Sequence, residues 1–382
     1  MIIGVPKELM EGENRVAAIP ATVKEYIKKG MDVYIESGAG AGSFISDEEY
    51  KNSGAQIVDK EELYKKSDII IKVNSPIIND LVNECDSIKE GSVFVSFFQT
   101  TQEINTVKEL QNKKVTGISM HLIPRTTLAQ KMDALSSQSN IAGYKSVLLG
   151  SAHIGKYMPL LMTAAGTIQP SKVLIIGAGV AGLQAIATAK RLGAQVNAFD
   201  VRPVVKEQVE SLGAKFVEVA TDDDDGVGEG GYAKETSEEY KKKQAELLKE
   251  YITNSDLVIT TALIPGKPAP KIITTDMVDG MKPGAAIMDL ASENGGNCDL
   301  TIPGQIINHN NIVIDGSANI PSTMPIHASQ MYAKNVSALI TYLCPEGKLE
   351  LNMEDEITSG SIFTHNGKIT HQITSDIING EK

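Results

Sequence analysis

"VLIIGAGVAGLQAIATAKRLGAQVNAFDVRP", residues 173–203, runs from a short apolar strand through a glycine turn into a helix, and then into a second strand that ends in an acid. Gly177, Gly179 and Gly182 form G-x-G-x-x-G at the strand-to-helix turn. The first glycine permits the tight turn, the second lets the backbone approach a pyrophosphate, and the third lets helix and strand pack closely. The helix that begins there offers free N–H groups and its positive dipole end to phosphates. The glycines alone are weak evidence. The flanking strand, helix and second strand, with Asp200 at about the 20-residue spacing of a ribose-binding acid, make the reading specific. A carboxylate there accepts the ribose hydroxyls and repels a 2′-phosphate, which selects NAD(H) over NADP(H). Arg202, two residues on, pulls the other way, since an arginine can meet that phosphate.

Outward from this stretch, strand and helix keep alternating. "MIIGVPK", "MDVYIES", "AQIVD", "DIIIKVN", "SVFVSFF" and "VTGISMHLI" are apolar runs parted by helical stretches such as "PATVKEYIKKG" and "TQEINTVKELQNKK". From Lys172 the pattern repeats in "KVLIIGAG", "QVNAFD", "AKFVEV", "DLVITTA", "AAIMDLA" and "NIVIDG". It predicts an α/β protein of two doubly wound, mainly parallel-sheet domains, a Rossmann-like NAD domain and a flanking domain. A helical segment from about Ser137 to Ala164 is too apolar for a free linker and reads as a spine joining the two. In the tail, Asn366-Gly367 marks a tight hairpin turn. The tail is expected to return to the first domain, giving boundaries of 1–135 with 322–382 for the flanking domain and 136–321 for the NAD domain. The acidic, glycine-rich stretch at about 220–236 breaks the pattern, and reads either as a disordered surface loop or as a mobile flap on the ligand-binding rim.

At 382 residues the chain is long for one core and comfortable for two. A net charge of −12 argues against a nucleic-acid surface. Cys85, Cys298 and Cys344 follow no ligand spacing, so a reducing compartment and no metal site are expected. The opening "MIIGVPKELMEGENR" turns polar too soon for a signal peptide, and no stretch approaches the roughly 18 apolar residues of a membrane span.

A dehydrogenase acting on C–OH or C–NH₂ needs a base near neutral pKa. Of His121, His153, His309, His327, His365 and His371, only His121, at a strand end before "LIPR", falls near the expected cleft. Hydride transfer between two nicotinamides needs no such base, only rings held face to face with water excluded. Arg125, Gln130, Asp133, Ser136 and Ser137, in "PRTTLAQKMDALSSQSN", are spaced to fold over one helix start. They read either as a carboxamide site, with Arg125 and Asp133 paired, or as a capping box with a surface ion pair.

The chain closely resembles the NAD(H)-binding subunit of proton-translocating NAD(P) transhydrogenases. The match is most specific in "MDALSSQSNIAGYKSV", in "GVAGLQAIATAKRLGAQV" with "DVRPVVKEQVESLGAKF", in "GGYAKE" with "KKKQAE", and in "TTALIPGKPAPKIIT" with "DLASENGGNCDLT". The resemblance implies two doubly wound domains around an NAD cleft, commonly in a homodimer. It implies that Arg125, Asp133 and Ser136 hold the nicotinamide end, while Gln130 reaches towards an NADP(H)-bearing partner. Val180, Asp200, Val201 and Arg202 would line the adenosine side, Gly231 and Tyr232 would close the flap, and Gln244 and Leu263 would lie further along the rim. The chain ends at Lys382 on a polar tail, so the membrane subunit and the NADP(H)-binding beta subunit are expected on other chains. That places the protein in the cytoplasm, peripheral to the inner membrane. Alanine dehydrogenase shares the fold and is the alternative. Arg15 and Lys72 look like its substrate-binding pair, but Gln99 stands where its catalytic His would fall and Glu293 where its catalytic Asp would. A non-catalytic NAD-binding module is the other alternative.

Overall fold

The structure is a computed structural model that describes residues 1–219, 238–264 and 267–380. The chain divides into two units, Met1–Gln138 with Pro321–Lys382, and Ser139–Ile320. Both are α/β, as the alternation predicts, and both sheets are mainly parallel.

In the first unit the strands are β1 (Ile2–Val5), β2 (Asp32–Glu36), β3 (Gln56–Val58), β4 (Ile69–Ile71), β5 (Val93–Ser96) and β6 (Thr116–Ser119). Helices cover both faces, so β4 and β5 are buried along their whole length and read as unbroken apolar runs. These six strands run parallel in the order 6-5-4-1-2-3, which puts a topological switch between β1 and β4. The tail strand Ile362–His365 adds antiparallel to β6 and turns back as Lys368–Ile369. Asn366 and Gly367 take φ of 49° and 75°, the backbone that the Asn-Gly signal requires.

In the second unit, the expected helix from Ser137 to Ala164 is shorter. It spans Ala134–His153, beginning in the first unit, and gives way to a two-stranded antiparallel hairpin, β7 (Leu161–Thr163) and β8 (Gly166–Ile168). Gly155 and Pro159 explain the break, because neither continues a helix at low cost. The main sheet contains β9 (Lys172–Ile176), β10 (Gln195–Phe199), β11 (Lys215–Phe216), β12 (Leu257–Thr260), β13 (Ala286–Asp289), β14 (Ile306–His309) and β15 (Ile312–Asp315). Its order is 11-10-9-12-13-15-14, with the switch between β9 and β12. Edge strand β14 is antiparallel and departs from the expected alternation. Its turn, Asn310-Asn311, has both residues at positive φ, a weaker sequence signal than Asn-Gly. Among the described residues no helix is long and apolar enough to cross a membrane.

Candidate functional site

The glycine turn leaves β9 at the switch point of its sheet, the place where open α/β sheets bind ligands. The three glycines have different physical reasons. Gly177 has φ of 98°, and a Cβ on it would stand 2.5 Å from Thr261 Oγ1. On Gly182 a Cβ would stand 1.8 Å from the Gly177 carbonyl oxygen, so turn and helix can meet only there without a side chain. Gly179 has ordinary backbone angles, and a Cβ on it would meet no atom of the described residues within 4 Å. Among the described residues nothing demands glycine at 179, and the N-terminus of the Val180–Arg191 helix stands open beside it, where a pyrophosphate could approach.

Asp200 follows β10 directly. Its Oδ2 accepts from the Ala178 N–H at 2.7 Å and from Arg202 Nη2 at 3.0 Å, and its Oδ1 accepts from Arg202 N and Nε, both at 2.9 Å. Burial raises the carboxyl pKa, but these hydrogen bonds outweigh it and hold Asp200 below the usual range, ionised. The acid therefore ties the second strand to the glycine turn, and Arg202 folds back onto it instead of standing free for a 2′-phosphate. A carboxylate offers about four acceptor positions, and here four donors use them. Val180, Val201 and Leu263, each just past the end of β9, β10 or β12, expose 42%, 57% and 50% of their surface, apolar area that a flat aromatic base could cover.

Residues missed in the sequence hold the rest of the rim. Thr261 Oγ1 donates to the Gly177 carbonyl at 3.1 Å. Asn297 accepts from Ala262 N at 3.1 Å and donates to the carbonyls of Ala262 and Pro270, both at 2.9 Å, pinning the chain on either side of Leu263. Buried Asp289 accepts from Thr260, Ala291, Cys298 and Thr301, tying the end of β13 to the Cys298–Thr301 loop. The "ENGGNCD" run signals a turn, but not which polar groups it engages. Gln244 lies half-buried on the Glu238–Asn254 helix, with no hydrogen bond to the turn or to Asp200 among the described residues. Gly231, Tyr232 and the expected flap lie outside the described residues.

In the first unit Gln130 occupies a single 3₁₀ turn, Gln130–Met132, and points to solvent. Asp133 follows and caps the Ala134–His153 helix. Its Oδ1 accepts from Ser136 N at 2.8 Å and its Oδ2 from Ser136 Oγ at 2.6 Å, while Ser137 Oγ donates to its carbonyl. The Arg125–Asp133 pair allowed by the spacing is absent among the described residues: Arg125 is exposed, and the orphan N–H of the first helical turn claims the carboxylate. Asp133 keeps free acceptor positions, enough for the NH₂ of a carboxamide.

The first unit's switch point is filled by charge. Arg15 is held by Glu13 at 2.8 and 2.6 Å and by Gln138 at 2.9 Å. Lys72 is held by both oxygens of Glu84 at 2.9 and 2.8 Å, with Glu8 at 3.8 Å. Burial lifts the Glu13 carboxyl, but Arg15 overcomes it and brings it down to about 2; Glu8, which lacks such a bond to a cation, is raised by the same burial. A proton acceptor is harder to find. His121 Nδ1 accepts from Phe98 N at 3.0 Å, so its lone pair is engaged, and burial pushes the ring down to about 4. Exposed Gln99 cannot take a proton, exposed Glu293 accepts weakly from Asn319 N at 3.4 Å, and His153 is paired with Asp315 at 2.8 Å on the strand face.

Comparison with known proteins gives a consistent picture. Residues 4–142 match the N-terminal domain, and residues 146–372 the C-terminal domain, of the family described as alanine dehydrogenase/PNT. The polypeptide of Rhodospirillum rubrum that forms the first portion of NAD(P) transhydrogenase subunit alpha is 45% identical over 97% of this chain and 98% of its own. A transhydrogenase crystal structure from Sinorhizobium meliloti superposes with a TM-score of 0.88 at 41% identity, over 97% of this chain and 100% of that one. Alanine dehydrogenase of Methanococcus maripaludis is 29% identical over 97% of this chain and 95% of its own.

Proposed function

The chain belongs to the alanine dehydrogenase/PNT family over both domains, and from that premise we propose that it is the NAD(H)-binding alpha subunit of a proton-translocating NAD(P) transhydrogenase. It exchanges hydride between NADH on this chain and NADP⁺ on a beta subunit, and a membrane subunit couples the exchange to proton flow. The observation that carries the reading is the likeness to the Rhodospirillum rubrum subunit, which runs through nearly all of both chains.

Bound NADH would supply the hydride. The chain's own groups bind and orient. The N–H groups of Gly179, Val180 and Ala181, ahead of the first complete helical turn, hold the pyrophosphate. Asp200 takes the ribose hydroxyls as Arg202 releases it, and Val180, Val201 and Leu263 cover the base. Arg125, Asp133 and Ser136 hold the carboxamide, Gln130 reaches towards the NADP(H) subunit, and Gly231, Tyr232 and Gln244 complete the rim. The exposed apolar residues Leu160, Met162 and Ile168 at the hairpin support a second copy of the chain as a further partner. Such an assembly sits on the cytoplasmic face of the inner membrane.

Free-standing alanine oxidation has support in the 29% likeness and in the presence of Arg15 and Lys72. Against it stand Gln99 and the engaged lone pair of His121, which leave that chemistry without its proton acceptor. The deciding assay uses NADPH as donor and an acetylpyridine analogue of NAD⁺ as acceptor, with and without a purified NADP(H)-binding transhydrogenase component. Transfer is expected only with both proteins, and Gln130→Asn should slow it roughly tenfold at unchanged NADH affinity, because a shortened positioning group misplaces the rings. Alanine oxidation by this chain alone would sink the proposal.

A further inference from the structure

Only backbone geometry and buried neighbours can fix a turn whose own side chains face water. In the Gln130–Met132 turn, Gln130 and Lys131 are exposed, while Ala129 and Met132 are buried in the core of the first unit. Those apolar anchors resist lifting but not rotation, since packing has no direction of its own. The directional restraint comes from elsewhere. Asn335, 204 residues away on the Pro325–Leu343 helix, donates from Nδ2 to the Lys131 carbonyl at 2.9 Å.

Asn335 is poorly suited to its position in every other respect. It lies inside a helix, where asparagine is an indifferent former, and is 8% exposed, where a polar side chain is costly unless satisfied. Its Oδ1 is buried and has no hydrogen-bond partner among the described residues. The amide orientation is fixed all the same, because only the NH₂ can donate to a carbonyl. Among the described residues, holding Lys131 is the one bond this side chain makes.

We propose that Asn335 is a positioning residue for hydride transfer: by fixing the Lys131 carbonyl it sets the turn that presents Gln130. The inference rests on the functional reading above, and it predicts a consequence that does not. Trypsin cleaves after Lys131, at the peptide whose carbonyl Asn335 holds. In Asn335→Leu, which keeps the branching at Cγ and also removes the unmatched Oδ1, the donor is lost. Cleavage at Lys131–Met132, followed by mass spectrometry, should accelerate roughly five-fold, the opening that loss of one hydrogen bond allows. Asn335→Ala, which removes the donor without adding bulk, should do the same.

In the NADPH and acetylpyridine-analogue assay with the NADP(H)-binding component, Asn335→Leu should lower the transfer rate at saturating nucleotide about tenfold, with NADH affinity unchanged. A Gln130→Ala/Asn335→Leu double variant should be no slower than Gln130→Ala alone, because both changes disable one unit. Unchanged cleavage at Lys131 would overturn the anchoring, and multiplicative losses in the double variant would overturn action through Gln130. Absence of transfer by the parent protein would instead overturn the functional reading, and with it the role in transfer, while the cleavage result still judged the anchor.

Discussion

Asp200→Asn tests the nucleotide site at its most loaded atom. The carboxylate already has four donors, three of them from Arg202, so a ribose hydroxyl must take a position that Arg202 gives up. A hydrogen bond to a charged acceptor contributes about 1.5–3 kcal/mol. Releasing a half-exposed ion pair costs about 0–1 kcal/mol. The net contribution of Asp200 to NADH binding is then about 1–2 kcal/mol, and its loss should weaken NADH roughly 5- to 30-fold. Asparagine keeps an oxygen for the Ala178 N–H, so the turn should hold and the melting temperature should move little. The same change frees Arg202 and removes the repulsion of a 2′-phosphate, so NADPH should bind more tightly than to the parent. Arg202→Ala is the counterpart, leaving NADH affinity equal or slightly improved. Both nucleotides can be titrated by their own fluorescence, at low and at physiological salt. NADH affinity within two-fold of the parent, together with an unchanged preference over NADPH, would refute the assignment of Asp200 to the ribose.

The other expectations separate folding from binding. Gly182→Ala puts a methyl 1.8 Å from the Gly177 carbonyl, and should cost about 1–3 kcal/mol of stability by thermal unfolding. Gly179→Ala, whose methyl meets no atom of the described residues within 4 Å, should leave the melting temperature alone and weaken NADH; equal damage to both properties in the two variants would contradict this division. Burial pushes His121 down to about 4 from its ordinary 6.5, so between those pH values the unfolded chain binds a proton that the native chain does not. Stability from this residue is complete above pH 6.5 and falls as pH drops towards 4, by up to about 3 kcal/mol. His121→Gln, whose amide oxygen can still accept from Phe98 N, should lose that part of the acid slope in urea titrations at pH 7 and 4.5; an unaltered slope would argue against it.

Much of this architecture is written in short-range pattern. The apolar runs mark the strands, the glycine spacing marks the turn after β9, and Asn366-Gly367 marks the tail hairpin, because each depends on residues only a few positions apart. Where a local signal is weak the reading fails: Gly155 and Pro159 are easily passed over inside an apolar stretch, and Asn310-Asn311 does not announce β14. The pairing of charges is harder still. Spacing allows Arg125 to join Asp133, but Asp133 goes to its own helix end, while Arg15 finds Glu13 and Gln138, and Lys72 finds Glu84. The sequence by itself determined the fold class and the glycine turn after β9, since both rest on local periodicity and backbone sterics. Tertiary structure alone decided that Arg15 meets Gln138, that Lys72 meets Glu84, and that an asparagine 204 residues distant holds the Gln130 turn. Those contacts depend on which strands the crossovers bring side by side, and no short stretch of chain encodes that order.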